Sequence, residues 1–329
     1  MKLGIVGAGL IVHTLLEFIE ETEIELTAIS ATPAEIGKLN ELKDRYGFRD
    51  VYTDFDEMLE NDEIDTVYIG VNNHLHYTFA LKALLKNKNV IQEKPFTSNC
   101  SQAKKLIDTA KERNLFLFEA ISTIHNPNFK KIESLIPTLG DIKIVTLNYT
   151  QYSSRYDAFK KGEILPAFDY RKSGGALMDL NIYNIHSIVK LFGSPNTVSY
   201  IANIEKGVDT SGILTLDYDS FKAVLIGAKD CKAPFINAIQ GNEGSISTTS
   251  PMFTLTHFEY ELNNKESVHY DETAGAHRMK HEFEDFLEVF NQKDYQACYE
   301  LLEHSLRVMD VVSKARECIN LKFPDDDNI

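Results

Sequence analysis

Short apolar runs alternate with helical patterns over the first 121 residues of the chain. The predicted strands are Leu3–Val6, Glu25–Ser30, Thr66–Gly70, Asn89–Gln92 and Phe116–Glu119, and the predicted helices cover 10–21, 34–46, 74–87 and 99–113. Asp54 and Asn73 stand where each would cap a helix that begins after it. Strands that alternate with helices predict parallel βαβ units, and so an α/β Rossmann domain with a doubly wound parallel sheet.

The pattern changes after about residue 140, where strand-like runs follow one another and helices are set apart. The strands are predicted at 142–152, 198–204, 211–217, 222–228, 235–240, 245–248, 252–256 and 267–270, and the last two helices at 279–291 and 295–318. A glycine pair at 174–175 opens another helix, which ends near Gly193. This order predicts an α+β domain built on a large open, mainly antiparallel sheet. We therefore predict two domains, 1–121 and 122–329.

Composition and charge exclude several classes of function. The formal net charge of −15 argues against a nucleic-acid partner, because phosphate contacts need clustered Lys and Arg. No apolar run approaches the roughly 18 residues of a bilayer span, and the N-terminus lacks a signal-peptide pattern, so we expect a cytoplasmic protein without a membrane partner. The four cysteines are Cys100, Cys231, Cys298 and Cys318. They form no CxxC pair, and no His cluster has metal-ligand spacing, so we expect reduced thiols and no metal.

A glycine-rich turn follows the first predicted strand and opens the first predicted helix. Gly7 permits the tight turn, and Gly9 lets backbone N–H groups at Leu10 and Ile11 approach a pyrophosphate. Val12 occupies the position of the third small residue of this fingerprint, which should hold the helix slightly farther from the sheet. At the first βα turn of an alternating domain, the pattern predicts a dinucleotide-binding site.

The end of the second predicted strand bears on the choice between NAD and NADP. An acidic residue there would bind the ribose 2′-OH of NAD, but the segment Ile29–Pro33 has no carboxylate. Ser30 and Thr32 can hydrogen-bond a 2′-phosphate, and Lys38 can approach it, although the arginine expected for NADP is also missing. We expect NADP as the preferred cofactor, with NAD as the alternative; a plain polar turn is the third interpretation.

Two further motifs make the prediction sharper. Glu93-Lys94-Pro95 directly follows the predicted strand ending at Gln92, and the segment 174–183 reads GGALMDLNIY. In this order after the glycine turn, the motifs resemble the glucose-fructose oxidoreductase/inositol dehydrogenase (Gfo/Idh/MocA) family over nearly the whole chain. The supporting matches are Asn73 with His76, Phe118-Glu119-Ala120 and Arg171. Asn181 departs from the family, which has a glycine at that position of the second motif.

The resemblance implies a Rossmann domain followed by a domain whose open sheet often forms a dimer contact, so we expect a homodimer or a larger homo-oligomer. It places Lys94 beside the nicotinamide and the substrate, and it makes Asp179 and Tyr183 the counterparts of the family's aspartate and its His or Tyr. A tyrosine rather than a histidine at position 183 resembles the branch of the family that contains dihydrodiol, xylose and glucose-fructose enzymes. That branch commonly uses NADP. The implied reaction transfers hydride between nicotinamide and a secondary alcohol or carbonyl of a sugar, polyol or diol.

The chemistry of these catalytic candidates is consistent with that reaction. Asp179 and Tyr183 are four positions apart, so they share one face of a predicted helix. Hydride transfer at a carbinol carbon needs a partner for the hydroxyl proton. A tyrosine needs a nearby positive charge to act as a base at neutral pH, and Lys94 can supply that charge. Asp179 would orient the substrate or the lysine.

The remaining candidates are assigned to binding. The candidate cofactor-binding residues are Gly7, Gly9, Leu10, Ile11, Ser30, Thr32, Asn73, His76, Glu93 and Lys94. Arg171 and His186 are the candidate substrate-binding residues, although a helical histidine beside an apolar stripe is also typical of a core. Two other functions stay open: a non-catalytic NAD(P)-binding sensor with a protein partner, and a hydrolase or lyase that retains NAD and uses transient oxidation.

Overall fold

The computed structural model describes residues 1–327. The chain forms two compact units. The first combines Met1–Ala120 with Glu282–Ser305, and the second combines Ile121–His281 with the residues from Leu306 onward. The C-terminal segment 282–305 thus groups with the first unit, and the domain boundary read from the sequence stays a prediction.

A six-stranded parallel sheet lies at the centre of the first unit. Its strands are β1 (Lys2–Val6), β2 (Glu25–Ser30), β3 (Asp50–Tyr52), β4 (Thr66–Ile69), β5 (Asn89–Glu93) and β6 (Leu117–Ala120). The strand order is β3-β2-β1-β4-β5-β6, and every neighbouring pair is parallel. The residues of β4 and β6 are all buried, as expected for a sheet covered on both faces. The predicted Rossmann sheet is confirmed, with β3 as an additional short strand.

The helices of the first unit follow the predicted alternation. They are α1 (Leu10–Leu16), α2 (Ile36–Tyr46), α3 (Phe55–Leu59), α4 (His76–Leu85) and α5 (Cys100–Arg113). Asp54 caps α3 as predicted, because its carboxylate accepts hydrogen bonds from the backbone N–H groups of Asp56 and Glu57. The predicted cap at Asn73 is wrong. A 3₁₀ turn over Asn73–Leu75 intervenes, so α4 begins only at His76.

The helices of the second unit and of the C-terminal region complete the list. They are α6 (Ser122–His125), α7 (Pro127–Leu135), α8 (Tyr156–Lys160), α9 (Ile182–Phe192), α10 (Lys280–Gln292) and α11 (Tyr295–Cys318). Within the first unit, Phe283 of α10 lies edge-on to Phe18, with ring centroids 5.5 Å apart. Phe286 stacks on Phe118 at 4.6 Å. Fully burying such rings contributes roughly 1.5–3 kcal/mol each, which explains why this helix adheres to the Rossmann unit.

An eight-stranded, mainly antiparallel sheet lies at the centre of the second unit. Its strands are β7 (Ile142–Thr150), β8 (Thr197–Glu205), β9 (Val208–Asp217), β10 (Lys222–Ala228), β11 (Asn237–Gly241), β12 (Gly244–Thr248), β13 (Phe258–Leu262) and β14 (Val268–Tyr270). The strand order is β14-β13-β12-β11-β7-β10-β9-β8. Only the β10–β7 pair among these described strands is parallel. The predicted mainly antiparallel sheet of the second domain is thereby confirmed.

The predicted strand at 252–256 is wrong, because this segment forms turns instead. Side chains from the start of the second unit hold its carbonyl groups in place of a strand ladder. The Asn126 amide donates to the Thr254 carbonyl at 3.0 Å, and the Asn128 amide donates to the Leu255 carbonyl at 2.8 Å. Backbone groups satisfied by side chains do not require a neighbouring strand.

Candidate active site

The glycine turn after β1 has the shape that the sequence predicts. Gly7 has a φ of +114°, and a Cβ atom at this position would overlap the carbonyl oxygen of Gly70, which follows β4. Val12 fits because Gly70 lacks a side chain: a Cβ atom on Gly70 would lie 2.9 Å from Val12 Cγ2. Among the described residues, no atom lies within 4 Å of a Cβ atom built on Gly9, so the backbone there is open to a phosphate.

A positive charge lies beside this turn. The ammonium group of Lys38, on α2, donates a hydrogen bond to the carbonyl of Ala8. Ser30 is buried, and its carbonyl accepts the N–H of Gly7 at 2.8 Å, so its backbone supports the turn. The hydroxyl of Thr32 donates to the Glu35 carboxylate at 3.0 Å, on the exposed surface after β2. Of these residues, Lys38 contributes the positive charge at the glycine turn.

The Glu93-Lys94 pair lies at the carboxyl end of β5, two strands away from β1 in the sheet. Glu93 is buried and accepts a 2.6 Å hydrogen bond from the buried Tyr68 hydroxyl. Lys94 is half-buried, and its peptide bond to Pro95 is cis. Ligands of open α/β sheets bind outside the carboxyl ends of the strands, at the point where the strand order reverses. That point is the β1–β4 junction, so the first unit offers Lys94 at the expected edge.

His76 ties two loops of this edge together. Its Nδ1 lies 2.8 Å from the Pro95 carbonyl oxygen, and its Nε2 lies 3.1 Å from the Val71 carbonyl oxygen. Burial lowers the pKa of His76 to about 4, so the neutral ring carries one proton at pH 7. We assign that proton to Nδ1, which is nearer to its acceptor. His76 therefore supports the segment that carries Lys94, and its direct contact with a cofactor stays a prediction.

A buried carboxylate fixes the start of the second motif. Asp209 Oδ2 accepts the Leu177 N–H at 2.7 Å and the Tyr200 hydroxyl at 2.9 Å. Burial raises the pKa of Asp209 to about 6. Gly175 has a φ of +125°, and a Cβ atom on it would overlap Asp209 Oδ1. Only glycine therefore fits this position, where the chain enters the helix.

The helix that carries the catalytic candidates begins with a π turn over Leu177–Asn181, followed directly by α9. π turns are rare in proteins overall, but those that occur often lie at functional sites. The Asn181 amide donates to the Leu225 carbonyl at 3.3 Å, and a Cβ atom on Gly227 would lie 2.8 Å from Asn181 Cβ. The asparagine that replaces the family's glycine therefore packs against a gap in β10 that Gly227 provides.

Asp179 and Tyr183 come from this π turn and from the first turn of α9. The Asp179 carboxylate accepts a 2.7 Å hydrogen bond from the ammonium group of Lys229, directly after β10. The Tyr183 ring is buried beside Tyr149 and Phe253, with centroid distances of 6.0 and 5.6 Å. Sequence reasoning missed Lys229; the available signal was a lysine directly after an apolar strand.

The two substrate-binding candidates lie in different environments. The Arg171 guanidinium binds Asp169 through two parallel contacts, Nε to Oδ1 at 2.8 Å and Nη2 to Oδ2 at 3.0 Å. His186 is fully buried on α9. Their substrate-binding roles stay predictions.

The described residues offer neither a metal site nor a membrane-spanning helix. Within residues 1–327, no group of three or more His, Cys, Asp or Glu residues is placed to hold a metal ion. No helix in the same range is long and apolar enough to cross a membrane. A metal-free activity and a cytoplasmic location stay predictions.

A parallel sheet of this order with a glycine turn after its first strand is typical of the class of dinucleotide-binding Rossmann proteins. The chain belongs to the Gfo/Idh/MocA family. Residues 1–121 match its "Oxidoreductase family, NAD-binding Rossmann fold" domain, and residues 132–247 match its C-terminal domain. The predicted family and enzyme class are thereby confirmed: the protein is an NAD(P)-binding oxidoreductase of this family.

Relatives of known activity cover the whole chain. It is 32% identical to scyllo-inositol 2-dehydrogenase (NADP(+)) IolU of Bacillus subtilis (strain 168), over 99% of each chain. It is 25% identical to trans-1,2-dihydrobenzene-1,2-diol dehydrogenase of Sus scrofa, again over 99% of each chain. Its fold is shared by a 3-ketoreductase from Actinomadura kijaniata solved with TDP-benzene and NADP, with a TM-score of 0.82, 22% identity and 96% of each chain covered.

Proposed function

We propose that the protein is an NADP-dependent dehydrogenase that interconverts a secondary alcohol and a carbonyl in a polyol, sugar or cyclic diol. The observation that carries this proposal is the π turn and helix that hold Asp179 and Tyr183 together, with the Asp179 carboxylate bound to an ammonium group. The substrate class is supported by the inositol and dihydrodiol dehydrogenases among the relatives.

Each catalytic candidate has a separate task. When bound, the nicotinamide supplies or accepts the hydride. Tyr183 takes the hydroxyl proton during oxidation and returns it during reduction, as a general base and acid. Lys94 hydrogen-bonds the reacting oxygen and stabilises negative charge on it. Asp179 accepts a hydrogen bond from a substrate hydroxyl and so orients the substrate.

The preference for NADP rests on the charge at the glycine turn. Lys38 already contacts the Ala8 carbonyl, and an ammonium group has three donors, so it can also bind a 2′-phosphate. The segment Ile29–Pro33 has no carboxylate that would favour the ribose of NAD. IolU, by its name, uses NADP(+), and the 3-ketoreductase was solved with NADP.

Cofactor titration followed by fluorescence tests this preference. We expect NADPH to bind more tightly than NADH, and Lys38→Ala to weaken NADPH about 10-fold while leaving NADH nearly unchanged, because a charge-assisted hydrogen bond contributes about 1.5–3 kcal/mol. Lys43→Ala, on the same helix, is the control. Equal affinity for both cofactors would refute the preference, and binding of neither would refute the proposed function.

Turnover with added cofactor separates the dehydrogenase from the two other functions. We expect reduction of free NADP with scyllo-inositol or trans-1,2-dihydrobenzene-1,2-diol, or with another member of a polyol and diol panel. A sensor would bind NADPH without turnover. A hydrolase or lyase would consume its substrate without net reduction of added cofactor.

We further propose that the open face of the second unit's sheet joins two copies of the chain. Ile201 of β8 and Ile213 of β9 are ladder partners, and their exposed fractions are 76% and 48%. The pairing of β9 with β10 and of β10 with β7 puts the half-exposed Ile144 on the same face. Contiguous apolar patches on a protein surface are typical of protein–protein contacts, and the adjacent Ile201 and Ile213 provide the start of such a patch.

A further inference from the structure

A buried lysine, Lys229, lies behind the catalytic candidate Asp179. Its ammonium group donates to Asp179 Oδ2 at 2.7 Å and to the Ala167 carbonyl, and it lies 4.6 Å from the centroid of the Phe168 ring. The side chain of Lys229 is 2% exposed, whereas that of Asp179 is 32% exposed. The pair therefore has one partner inside the protein and one that reaches the surface of the second unit.

The backbone of Lys229 is fixed on both sides. Its N–H donates to the Thr210 carbonyl at 2.8 Å, and its carbonyl accepts the Ser153 N–H at 2.8 Å. The ammonium group thus extends from a position held by two neighbouring chain segments. An anchor of this kind restricts the carboxylate that it binds to a narrow range of orientations.

Stability alone does not account for a lysine at this position. Moving an ammonium group out of water costs several kcal/mol, and well-packed apolar residues of similar volume often stabilise a fold as well as a buried ion pair does. The apolar pattern of β10 ends directly before Lys229, and the adjacent Phe168 ring is a surface against which a methionine also packs favourably. The charge is therefore explained better by what it does to Asp179.

We propose that Lys229 is a positioning residue, which holds the Asp179 carboxylate in the orientation that accepts a hydrogen bond from the substrate. This inference rests on the proposed function, in which Asp179 orients the substrate. The ammonium group of Lys229 is buried, so we expect its effect on the substrate to pass through Asp179. Removal of its ammonium group should therefore impair substrate use while leaving cofactor binding intact.

Four variants test the inference: Lys229→Met, Asp179→Asn, the double variant of these two, and Lys229→Arg. We expect Lys229→Met and Asp179→Asn each to lower kcat/KM by about 10- to 100-fold, by analogy with the loss found when the hydrogen-bond partners of metal ligands are removed. The double variant should lose no more than Asp179→Asn, because a residue that acts only through its neighbour has no effect once that neighbour is neutralised. Lys229→Arg, which keeps the positive charge, should recover part of the activity, and NADPH affinity should stay within about twofold of wild type.

Lys88 provides the matched control for the loss of a buried lysine. It is 7% exposed, and its ammonium group donates to the carbonyls of Asn61 and Ile64, both at 2.9 Å. It binds no carboxylate through those contacts and lies in the first unit. We expect Lys88→Met to lower the melting temperature without changing kcat/KM.

Crystal structures give a readout that does not depend on turnover. In Lys229→Met we expect the Asp179 carboxylate to rotate away from its wild-type position or to occupy two conformers. An unchanged carboxylate would overturn the inference, as would a wild-type kcat/KM in Lys229→Met beside an impaired Asp179→Asn. Full activity of Asp179→Asn, or a wild-type protein without turnover, would instead overturn the proposed function.

Discussion

At the scale of single residues, His76 couples the fold to pH. Its pKa is lowered from an ordinary value of 6.5 to about 4 by burial, so between these pH values the unfolded chain binds a proton that the folded chain does not. Stability from this group is complete above pH 6.5 and is lost as the pH falls towards 4. From pH 7 to pH 5 the expected loss is about 2 kcal/mol.

Urea unfolding of wild type and His76→Gln at pH 7 and pH 5 measures this contribution. We expect the loss between the two pH values to be about 2 kcal/mol smaller in the variant, even though the variant is less stable at pH 7. The comparison needs the variant, because the raised pKa of Asp209, about 6, acts in the opposite direction below pH 6. An identical pH dependence in both proteins would show that His76 is not buried as a neutral ring.

Some residues of the candidate site can be recognised from their neighbours in the sequence, and others cannot. Lys94, Asp179 and Tyr183 stand in motifs of adjacent residues, so a short segment is enough to propose them. Lys229 is 50 positions away from its partner Asp179, and nothing next to it in the sequence distinguishes it from a lysine at a strand end. Pairings of this kind depend on which strand lies behind the helix, and only the fold provides that.

At the scale of elements, the entry into the π turn depends on Gly175. Gly175→Ala would force an alanine into a φ of +125° and push its Cβ atom onto Asp209. The backbone strain alone costs about 1–3 kcal/mol, and displacement of Asp209 also breaks the hydrogen bond that caps Leu177. We expect a fall in the melting temperature together with a loss of kcat, because Asp179 lies in the same turn.

Gly162→Ala is the control for this variant. Gly162 also has a positive φ, +96°, but among the described residues no atom lies within 4 Å of a Cβ atom built on it. It should show the cost of backbone strain without the overlap, and it should keep its kcat. Equal melting temperatures and equal kcat values for the two variants would argue against a role of Asp209 in fixing the turn.

Elements with strong local patterns could be predicted, and elements that depend on distant contacts could not. The observed bounds of β2, β10 and α11 are the same as the bounds predicted from their sequence patterns. The short strand β3 has three half-buried residues, too few to show a period. The π turn looks like ordinary helix in the sequence, and its residue Asn181 packs against Gly227 of β10, which is distant in the sequence.

At the scale of the whole molecule, the exposed face of the second sheet predicts the assembly state. We expect wild type to sediment as a dimer or larger homo-oligomer at micromolar concentration, and the double variant Ile201→Glu/Ile213→Glu to sediment as a monomer of 37.3 kDa. In a two-fold interface each substitution occurs twice, so four carboxylates would have to be buried without partners. Because both isoleucines are exposed in the single chain, the monomer should keep its fold.

Leu85→Glu is the matched control, because Leu85 is also half-exposed but lies on α4 in the first unit. It should sediment as wild type does. Dissociation of both variants would indicate a general effect of added charge, and a wild-type protein that is monomeric at tens of micromolar would refute the proposed interface. Retention of NADPH binding and of the melting temperature in the dissociated variant would show that the sheet face serves assembly and that each chain holds its own cofactor.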